Sequence, residues 1–326
     1  MGRRPVYIYD MSGKIRVGIS SCLLGEKVRY DGGHKLDHFL ADTLGRFVEY
    51  VPVCPEFEAG FGVPREAMRL TGDPAAPRLV TQKTGKDLTG VMNRWIGGRL
   101  RELEKAELRG FIFKSGSPSS GMERVKVYDE KGNSRKSGSG LFARAFMERF
   151  PLVPVEDEGR LHDMALRENF IVRLFAYDRW KEECARDGRP AAIIGFHARH
   201  KYLLMAHSPA KQKEMGKLVA RVREMGRGDF IGRYETLFME ALKCPATVKK
   251  NVNVLEHMAG YFRDRLGADE KKELGEVIGQ YRRELVPLIV PVTLVRHYVR
   301  KYGEEYLAGQ YYLEPHPLEL KLRNHA

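Results

Sequence analysis

Cysteine is scarce in this sequence: the 326 residues contain four, at Cys22, Cys54, Cys184 and Cys244. Four widely separated cysteines are too few to stabilise so long a chain by disulfide bonds, which excludes the class of small disulfide-rich secreted proteins. We therefore expect a reducing, cytoplasmic compartment. There, such cysteines are buried apolar residues, catalytic thiols or metal ligands.

Long apolar runs are also missing. No stretch approaches the roughly 20 residues that a membrane-spanning helix needs. The first residues contain arginines but lack the apolar segment of a secretory signal. The sequence therefore predicts no membrane partner. Met11 directly precedes the first strand-like run, so we interpret residues 1–10 as an extension or a misassigned start.

Acidic residues are outnumbered by basic ones. Lys and Arg total 56 against 43 Asp and Glu, a formal net charge of +13. An excess of this size favours polyanionic partners such as nucleic acid, although a merely basic, solvated surface remains an alternative. The length favours two domains.

The first half alternates strand-like and helix-like runs. We predict an amphipathic helix over 88–107 with Val91, Ile96, Leu100 and Leu103 on its apolar side. The alternation indicates an α/β, Rossmann-like domain built on a parallel sheet, in which ligands lie beyond the carboxyl ends of the strands. The other predicted elements are strands at 15–20, 51–53, 110–114 and 152–155 and helices at 35–49 and 140–149.

Helical patterns dominate the second half, from Asp157 onward. We therefore predict two domains, 11–160 and a mostly α-helical 161–326, with the turn-rich segment 185–191 as a further boundary candidate. The predicted helices lie within 159–183, 201–225, 229–243, 246–266, 269–285 and 292–303.

Three loops of unusual composition follow predicted strands. They read SSCLLG at 20–25, CPE-x-EAG-x-x-VPR at 54–65, and K-x-x-SPSSG at 114–121. Because each follows a strand of one parallel sheet, we expect all three at the same sheet edge.

Together, these three motifs resemble those of the TudS-type desulfidases. The fusion to a basic helical half resembles the domain arrangement of the bacterial tRNA 4-thiouridine desulfidases. The resemblance runs from about Lys14 to about Tyr306. It implies a 4Fe–4S cluster with three protein ligands and one open iron, which receives the substrate's sulfur. Hydrolysis of the C–S bond would then give uridine and sulfide. By position, the ligands match Cys22, Cys54 and Ser120.

Ser120 departs from the cysteine that this resemblance implies. Iron in such clusters favours thiolates, whereas a serine hydroxyl is a hard donor that must lose its proton to bind. Three interpretations remain open: an engineered or mistranscribed substitution, an alkoxide ligand in a labile cluster, or loss of the cluster. Cys184 and Cys244 lie in helix-like sequence, which favours buried cysteines over replacement ligands.

Two residues are candidates for catalysis. Glu56 follows Cys54 closely, where a carboxylate can activate water; the alternative is a loop carboxylate paired with Arg65. Ser117 matches a family serine proposed to assist at the substrate, or it is a turn residue before a proline.

Further residues of the site loops are Ser21, Asp31 and Arg65. Asp31 and Arg65 would orient a base or bind phosphate, or serve as turn and ion-pair residues. Asp87 is a weaker candidate, since the stretch before it reads first as a turn and helix cap.

The second half carries the candidate RNA contacts. Residues 191–250 hold twelve Lys and Arg against five Asp and Glu. Lys213, Lys217 and Arg221 share one helix face, which suits phosphate contact unless it is only a solvated face. The histidines at 197, 200 and 207 match no standard metal spacing and are expected at the surface or facing RNA. The full set of predicted RNA-binding residues is Arg199, Lys201, Lys211, Lys213, Lys217 and Arg221.

The leading hypothesis is a desulfidase acting on thiouridine in tRNA. A desulfidase of free thiolated bases is the second; the basic half argues against it, because a small substrate needs no polyanion-binding surface. A cluster-less RNA-binding protein is the third, because of Ser120. No obligate protein partner is evident.

Overall fold

The computed structural model describes residues 14–186 and 188–324. The interpretation of residues 1–10 lies outside the described residues. The chain divides into two compact units, here taken as residues 14–163 and 164–324. The boundary candidate 185–191 lies inside the second unit. Among the described helices, none combines the length and apolar content needed to cross a bilayer.

Two four-stranded sheets make up the strand structure described in the first unit. Sheet A has the order β2-β1-β5-β8 and is parallel throughout, whereas sheet B has the order β4-β3-β6-β7. The strands are β1 (Ile15–Ser20), β2 (Val48–Val53), β3 (Met68–Thr71), β4 (Arg78–Thr81), β5 (Gly110–Phe113), β6 (Val125–Tyr128), β7 (Ser134–Gly138) and β8 (Val155–Asp157).

Sheet A confirms the predicted parallel α/β architecture. Strands β1 and β5 are almost entirely buried, as expected of central strands covered on both faces. The predicted helix 35–49 was too long: only the short turns Phe39–Thr43 and Leu44–Arg46 form, because Val48 already pairs with Ile15 in the sheet. The last strand begins at Val155, later than predicted.

Sheet B was not predicted. Its strands β3 and β6 run parallel, while β4 and β7 pair antiparallel to them at the two sides. Its buried residues, such as Leu70 and Val127, join the same apolar core as Phe111 of sheet A. Both sheets therefore share one hydrophobic core.

The helices α1 (Thr89–Lys105) and α2 (Leu141–Arg149) cover this core. Helix α1 buries Met92, Ile96 and Leu103, confirming the amphipathic pattern. The placement of Val91 on the apolar side was wrong: it is 37% exposed, because Met92 takes the inward position one residue later.

Gly18 allows the closest approach in the core. A Cβ on Gly18 would lie 2.2 Å from Cδ2 of Phe111. The Phe111 ring in turn lies 4.3 Å from that of Phe113 and 4.8 Å from that of Phe146, between ring centroids. Strand β1 therefore needs glycine at this position so that the aromatic cluster can pack against it.

The second unit is mostly helical, as predicted. The expected helix 201–225 is divided, because Ser208 caps a new helix through the Lys211 amide and Pro209 begins it. The helices are α3 (Met164–Trp180), α4 (Pro190–His207), α5 (Pro209–Ala220), α6 (Arg227–Lys243), α7 (Val248–Ala259), α8 (Ala268–Arg282), α9 (Ile289–Tyr302) and α10 (Glu305–Ala308).

Two of the predicted surface histidines are buried instead. The Nδ1 atoms of His200 and His207 lie 2.8 and 2.7 Å from the carbonyl oxygens of Phe196 and Cys244. Burial lowers the pKa of His207 to about 4, so the neutral ring is favoured. Both histidines therefore pack in the helical unit rather than facing RNA. Cys184 is buried, as expected of a structural cysteine.

Candidate active site

The three predicted loops leave neighbouring strands of sheet A. Strand β1 lies between β2 and β5, and all three run in the same direction. Cys22 follows β1 by two residues, Cys54 directly follows β2, and the Ser117–Ser120 turn follows β5. Because carboxyl ends of parallel strands share one edge, these loops begin side by side, as predicted.

Cys22 lies in a tight turn at the end of β1. Its carbonyl oxygen accepts hydrogen bonds from the amides of Gly25 at 3.3 Å and Lys35 at 2.8 Å, and its side chain is buried. Burial, with a smaller contribution from the negative charge of Cys54, raises the pKa of Cys22 to about 11. In the absence of a metal, this cysteine is therefore a neutral thiol at pH 7. Its neighbour Ser21 is buried in the same turn.

Cys54 begins the second loop. Its amide donates to Oε1 of Glu58 at 2.8 Å, and its Sγ lies 3.8 Å from the carbonyl oxygen of Val28. The same Val28 oxygen accepts a hydrogen bond from Nη1 of Arg65 at 3.0 Å. Burial raises the pKa of the Cys54 thiol. Val28 therefore links Cys54 to the segment that follows Cys22.

Glu56 connects the second loop to the third. One carboxylate oxygen, Oε2, pairs with the guanidinium of Arg65, confirming the predicted alternative contact. The other, Oε1, accepts a hydrogen bond from the Ser119 hydroxyl at 2.9 Å and lies 3.5 Å from Oγ of Ser117. The carboxylate is thus fixed from both sides and is only 13% exposed.

The serine turn is anchored by its own side chains. Oγ of Ser117 accepts from the amides of Ser119 at 3.3 Å and Ser120 at 3.1 Å, and it lies 3.0 Å from Oγ of Ser119. The first amides of α2 donate back to this turn, for example Phe142 to the Ser119 carbonyl at 3.0 Å. Gly140 permits this contact, since a Cβ there would lie 2.4 Å from the carbonyl carbon of Ser119. Ser119 is a site residue that sequence reasoning missed.

A second charged group lies at this edge and was also missed. Lys114, directly after β5, pairs with Glu158, directly after β8, and Glu158 also accepts from the Ser115 amide at 2.7 Å. The positive charge of Lys114 counteracts part of the rise in the Cys22 pKa. The signal in the sequence was positional: both residues follow strands of the same sheet.

Asp31 has a local role in the structure. Its Oδ1 accepts from the Gly33 amide at 3.0 Å and lies 3.5 Å from Nε of Arg29, and these contacts lower the pKa of the carboxyl group. Asp87 likewise accepts from the Thr89 amide at 2.8 Å at the start of α1. Both contacts are local turn contacts, whereas the N-cap position of α1 is Leu88, so Asp87 is not the helix cap.

The predicted RNA-binding residues lie on or next to two consecutive helices of the second unit, α4 and α5. Lys213 and Lys217 are exposed on α5, and Arg221 is just beyond its end. Three of the six are engaged in ion pairs: Arg199 with Glu183, Lys211 with Glu240, and Arg221 with Glu224. Lys201 lies 5.2 Å from the centroid of the Tyr202 ring.

The donor atoms at the sheet edge can be tested against an iron–sulfur cluster. Within residues 14–186 and 188–324, no three His, Cys, Asp or Glu side chains are grouped to hold a metal ion. Cys22 and Cys54 are free of disulfide bonds and supply sulfur, the donor that cluster iron favours. Ser120 is a buried hydroxyl. The set therefore fits a 4Fe–4S cluster at two protein positions, and at the third only through oxygen.

The fold and site define an α/β domain with two cysteine loops and a serine turn at one sheet edge, followed by a helical domain. Comparison with protein families gives the same division. Residues 17–158 match the model of 2-thiouracil desulfurase, and residues 201–317 match that of a protein of unknown function (DUF1722).

Individual relatives extend this result. The uncharacterized protein YbgA of Escherichia coli (strain K12) is 31% identical over 161 residues, which is 48% of this chain and 94% of the relative. The uncharacterized protein YbbK of Bacillus subtilis (strain 168) is 28% identical over 131 residues, 38% of this chain and 85% of the relative. The chain therefore belongs to the family of YbgA, and its residues 17–158 are similar to 2-thiouracil desulfurase.

One solved structure is also similar. It is the thiouracil desulfidase TudS, described as 4Fe-4S-dependent, with 29% sequence identity and a TM-score of 0.40. The match covers 48% of this chain and 100% of TudS.

Proposed function

We propose that this chain is a desulfidase that hydrolyses the C–S bond of thiouridine in tRNA, giving uridine and sulfide. Two findings support the desulfidase part. The first unit carries a 2-thiouracil desulfurase domain, and its cysteine and serine loops leave neighbouring strands at one sheet edge.

The observation that carries the proposal is the hydrogen bond from Ser119 to Glu56 at 2.9 Å. It joins the serine turn after β5 to the loop that begins with Cys54, although these residues are 63 positions apart. A carboxylate fixed between Arg65 and two serines, two residues from a cysteine, is positioned to act as a base on water near that cysteine.

A cluster in this site would be held by Cys22 and Cys54, with Ser120 as the third protein ligand. When bound, such a cluster supplies an iron without a protein ligand that can accept the substrate's sulfur. Glu56 would take a proton from water as the new C–O bond forms at the thiolated carbon. The C–S bond breaks, and the sulfur leaves with both protons of that water as hydrogen sulfide, so the reaction needs no oxidant or reductant. Ser117 and Ser119 hold Glu56 in place during this step.

The tRNA part of the proposal is supported by charge. The chain has a net charge of +13, and exposed lysines such as Lys213 and Lys217 are available on α5. A free base carries no phosphate and gains nothing from such a surface, whereas tRNA does. TudS is described as acting on thiouracil, so the free base is the competing substrate.

The test is an assay under anaerobic conditions after incubation with iron and sulfide. Because Ser120 replaces a thiolate, the chain and its Ser120→Cys variant are assayed together, on 4-thiouridine tRNA and on free 2-thiouracil. The proposal expects the Ser120→Cys variant to release sulfide, with a higher kcat/KM on tRNA than on the free base, and the unmodified chain to share this preference at a lower rate. Faster turnover of the free base would overturn the tRNA assignment. An absence of turnover by both proteins, combined with tight tRNA binding, would instead indicate an RNA-binding protein without desulfidase activity.

A further inference from the structure

The outward face of sheet B carries basic residues. Strand β3 alternates buried Met68 and Leu70 with Arg69, and strand β6 alternates buried Val125 and Val127 with Lys126. The buried set packs into the core of the first unit. Arg69 and Lys126 therefore project from the opposite face, as the period of two in a strand requires.

Strand register aligns three of these cations. Leu70 lies opposite Val127 in the parallel pair β3 and β6, which places Arg69 opposite Lys126, one residue earlier on each strand. Lys126 in turn lies opposite Lys136 of β7. With neighbouring strands about 4.8 Å apart, the three positions form one row across about 10 Å of sheet. We call Arg69, Lys126 and Lys136 the cationic row.

The row is not neutralised within the fold. None of its three members forms an ion pair among residues 14–186 and 188–324, in contrast to Arg78 on the same sheet, whose Nη1 lies 3.8 Å from Oδ2 of Asp87. Like charges directly opposite each other on neighbouring strands destabilise a sheet. The guanidinium of Arg69 lies 5.1 Å from the ring centroid of Tyr128, which orients it on this face. A row of like charges that costs stability and has no ion-pair partner among the described residues is typical of a surface that binds an anion.

The row also lies close to the candidate active site in the chain. Arg69 is four residues after Arg65, and Lys126 is six residues after Ser120. At no more than about 3.6 Å per residue, the Cα atoms of Arg69 and Lys126 lie within about 14 and 22 Å of those of Arg65 and Ser120. Strands β3 and β6 are parallel, so both run outward from the site loops in the same direction. The row is therefore near enough to the site loops for one polyanion to contact both.

From this geometry we propose that the cationic row binds the phosphate backbone of the substrate RNA next to the nucleotide that enters the site. This inference rests on the proposed function, because it takes the thiolated base to be part of an RNA strand. It adds to that function a contact surface on the desulfurase domain itself. The positive charge of the row suits phosphates, which position a nucleic acid without reading its sequence.

The test measures RNA binding rather than activity, so it does not depend on a loaded cluster. The triple variant Arg69→Gln, Lys126→Gln and Lys136→Gln is compared with a control, Arg94→Gln, Arg101→Gln and Lys105→Gln. The control residues are exposed on α1 and form no ion pair among the described residues. Their substitution removes the same charge from the same unit. The dissociation constant for 4-thiouridine tRNA is measured over a range of salt concentrations.

We expect the row variant to bind more weakly and to reduce the slope of log K against log salt by about 2 to 3. Each lost phosphate contact contributes about 0.7 to 0.9 to that slope. The control should keep the parent slope. If the row variant and the control bind alike, the inference is wrong while the proposed function stands. If the parent chain does not bind tRNA at all, both the inference and the tRNA assignment fail.

A single substitution separates binding from folding. Lys126→Glu places a carboxylate opposite Lys136, so the cross-strand repulsion becomes an attraction. We expect a higher melting temperature together with weaker tRNA binding. A more stable variant with unchanged RNA affinity would contradict the inference, because the folded protein would then bind RNA equally well without Lys126. Since the variant is expected to be more stable, weaker binding could not be attributed to misfolding.

Discussion

Ser120 stands at the third ligand position of the site, and its side chain is buried beside the Ser117 turn. A cluster with one open iron must be held firmly at its other irons. A neutral hydroxyl provides no anionic ligand, whereas a thiolate does. We predict that the unmodified chain holds little iron and has low or no desulfidase activity, and that Ser120→Cys raises both. Iron and sulfide analysis after anaerobic purification, with turnover assays, measures the effect.

The control for this prediction is Cys22→Ala in the Ser120→Cys background. It should abolish iron binding and turnover again, which excludes adventitious thiol chemistry at position 120. An unmodified chain that holds a full cluster and works as fast as its Ser120→Cys variant would show that serine is a competent ligand here.

Glu56 is predicted to act on the chemical step and not on cluster binding. Its carboxylate contacts Arg65 and Ser119 rather than either cysteine sulfur. In the Ser120→Cys background, Glu56→Ala should leave iron content intact. It should lower kcat on the order of a hundredfold or more, the usual contribution of a general acid or base. Glu49→Ala removes an exposed carboxylate from β2 and serves as the control. Loss of iron in the Glu56 variant would indicate a structural role instead.

At the scale of elements, the contact between Gly18 of β1 and Phe111 of the neighbouring strand β5 tests how tightly the core is packed. Gly18→Ala would place a Cβ 2.2 Å from the Phe111 ring, which sits in the aromatic core. We expect a loss of about 1 to 3 kcal/mol in the free energy of unfolding, the usual cost of overpacking. The matched control is Gly97→Ala on α1, where nothing lies within 4 Å of the new Cβ.

That control should stabilise the chain by about 1 kcal/mol, because alanine favours a helix over glycine. Urea unfolding of the two variants measures both changes. Equal stability of the two would mean that β1 and the Phe111 ring can separate at little cost.

The elements that sequence reasoning found are those with a strong pattern. Strands β1 and β5 are short apolar runs, and α1 has a clear helical period. Sheet B was not predicted because its described strands have only four or five residues, β3 and β6 alternate apolar side chains with Arg and Lys, and β7 has no large apolar residue. Such segments look like loops until tertiary packing buries their inner face.

The site was predictable only in part for a related reason. The loops of Cys22, Cys54 and Ser120 could be placed together because each follows a strand. The pairing of Glu56 with Arg65 was anticipated, but its hydrogen bond with Ser119 was not, since Ser119 is 63 residues away and hydrogen bonds of that separation leave no periodic signal. Glu158 was missed in the same way, as the contact with Lys114 joins the ends of β5 and β8.

At the scale of the whole molecule, the net charge of +13 is distributed over both units. Part of it is neutralised locally, as for Lys211 and Glu240. The cations without such partners, including Lys213, Lys217 and the cationic row, are the ones that can release counterions when RNA binds. Ion-paired residues must first exchange a carboxylate for a phosphate, so they contribute less.

The last prediction follows from this difference. Reversing Lys213, Lys217 and Arg221 to Glu should weaken tRNA binding and lower the salt slope by about 2 to 3. Arg221 should contribute least, because Glu224 already pairs with it.

A matched reversal of Lys271, Lys272 and Arg300, exposed on α8 and α9, is the control. Unchanged affinity in the first variant would remove α5 from the RNA-binding surface. If α5 and the cationic row both bind the same RNA, combining their variants should give nearly additive losses, because separate sites act independently.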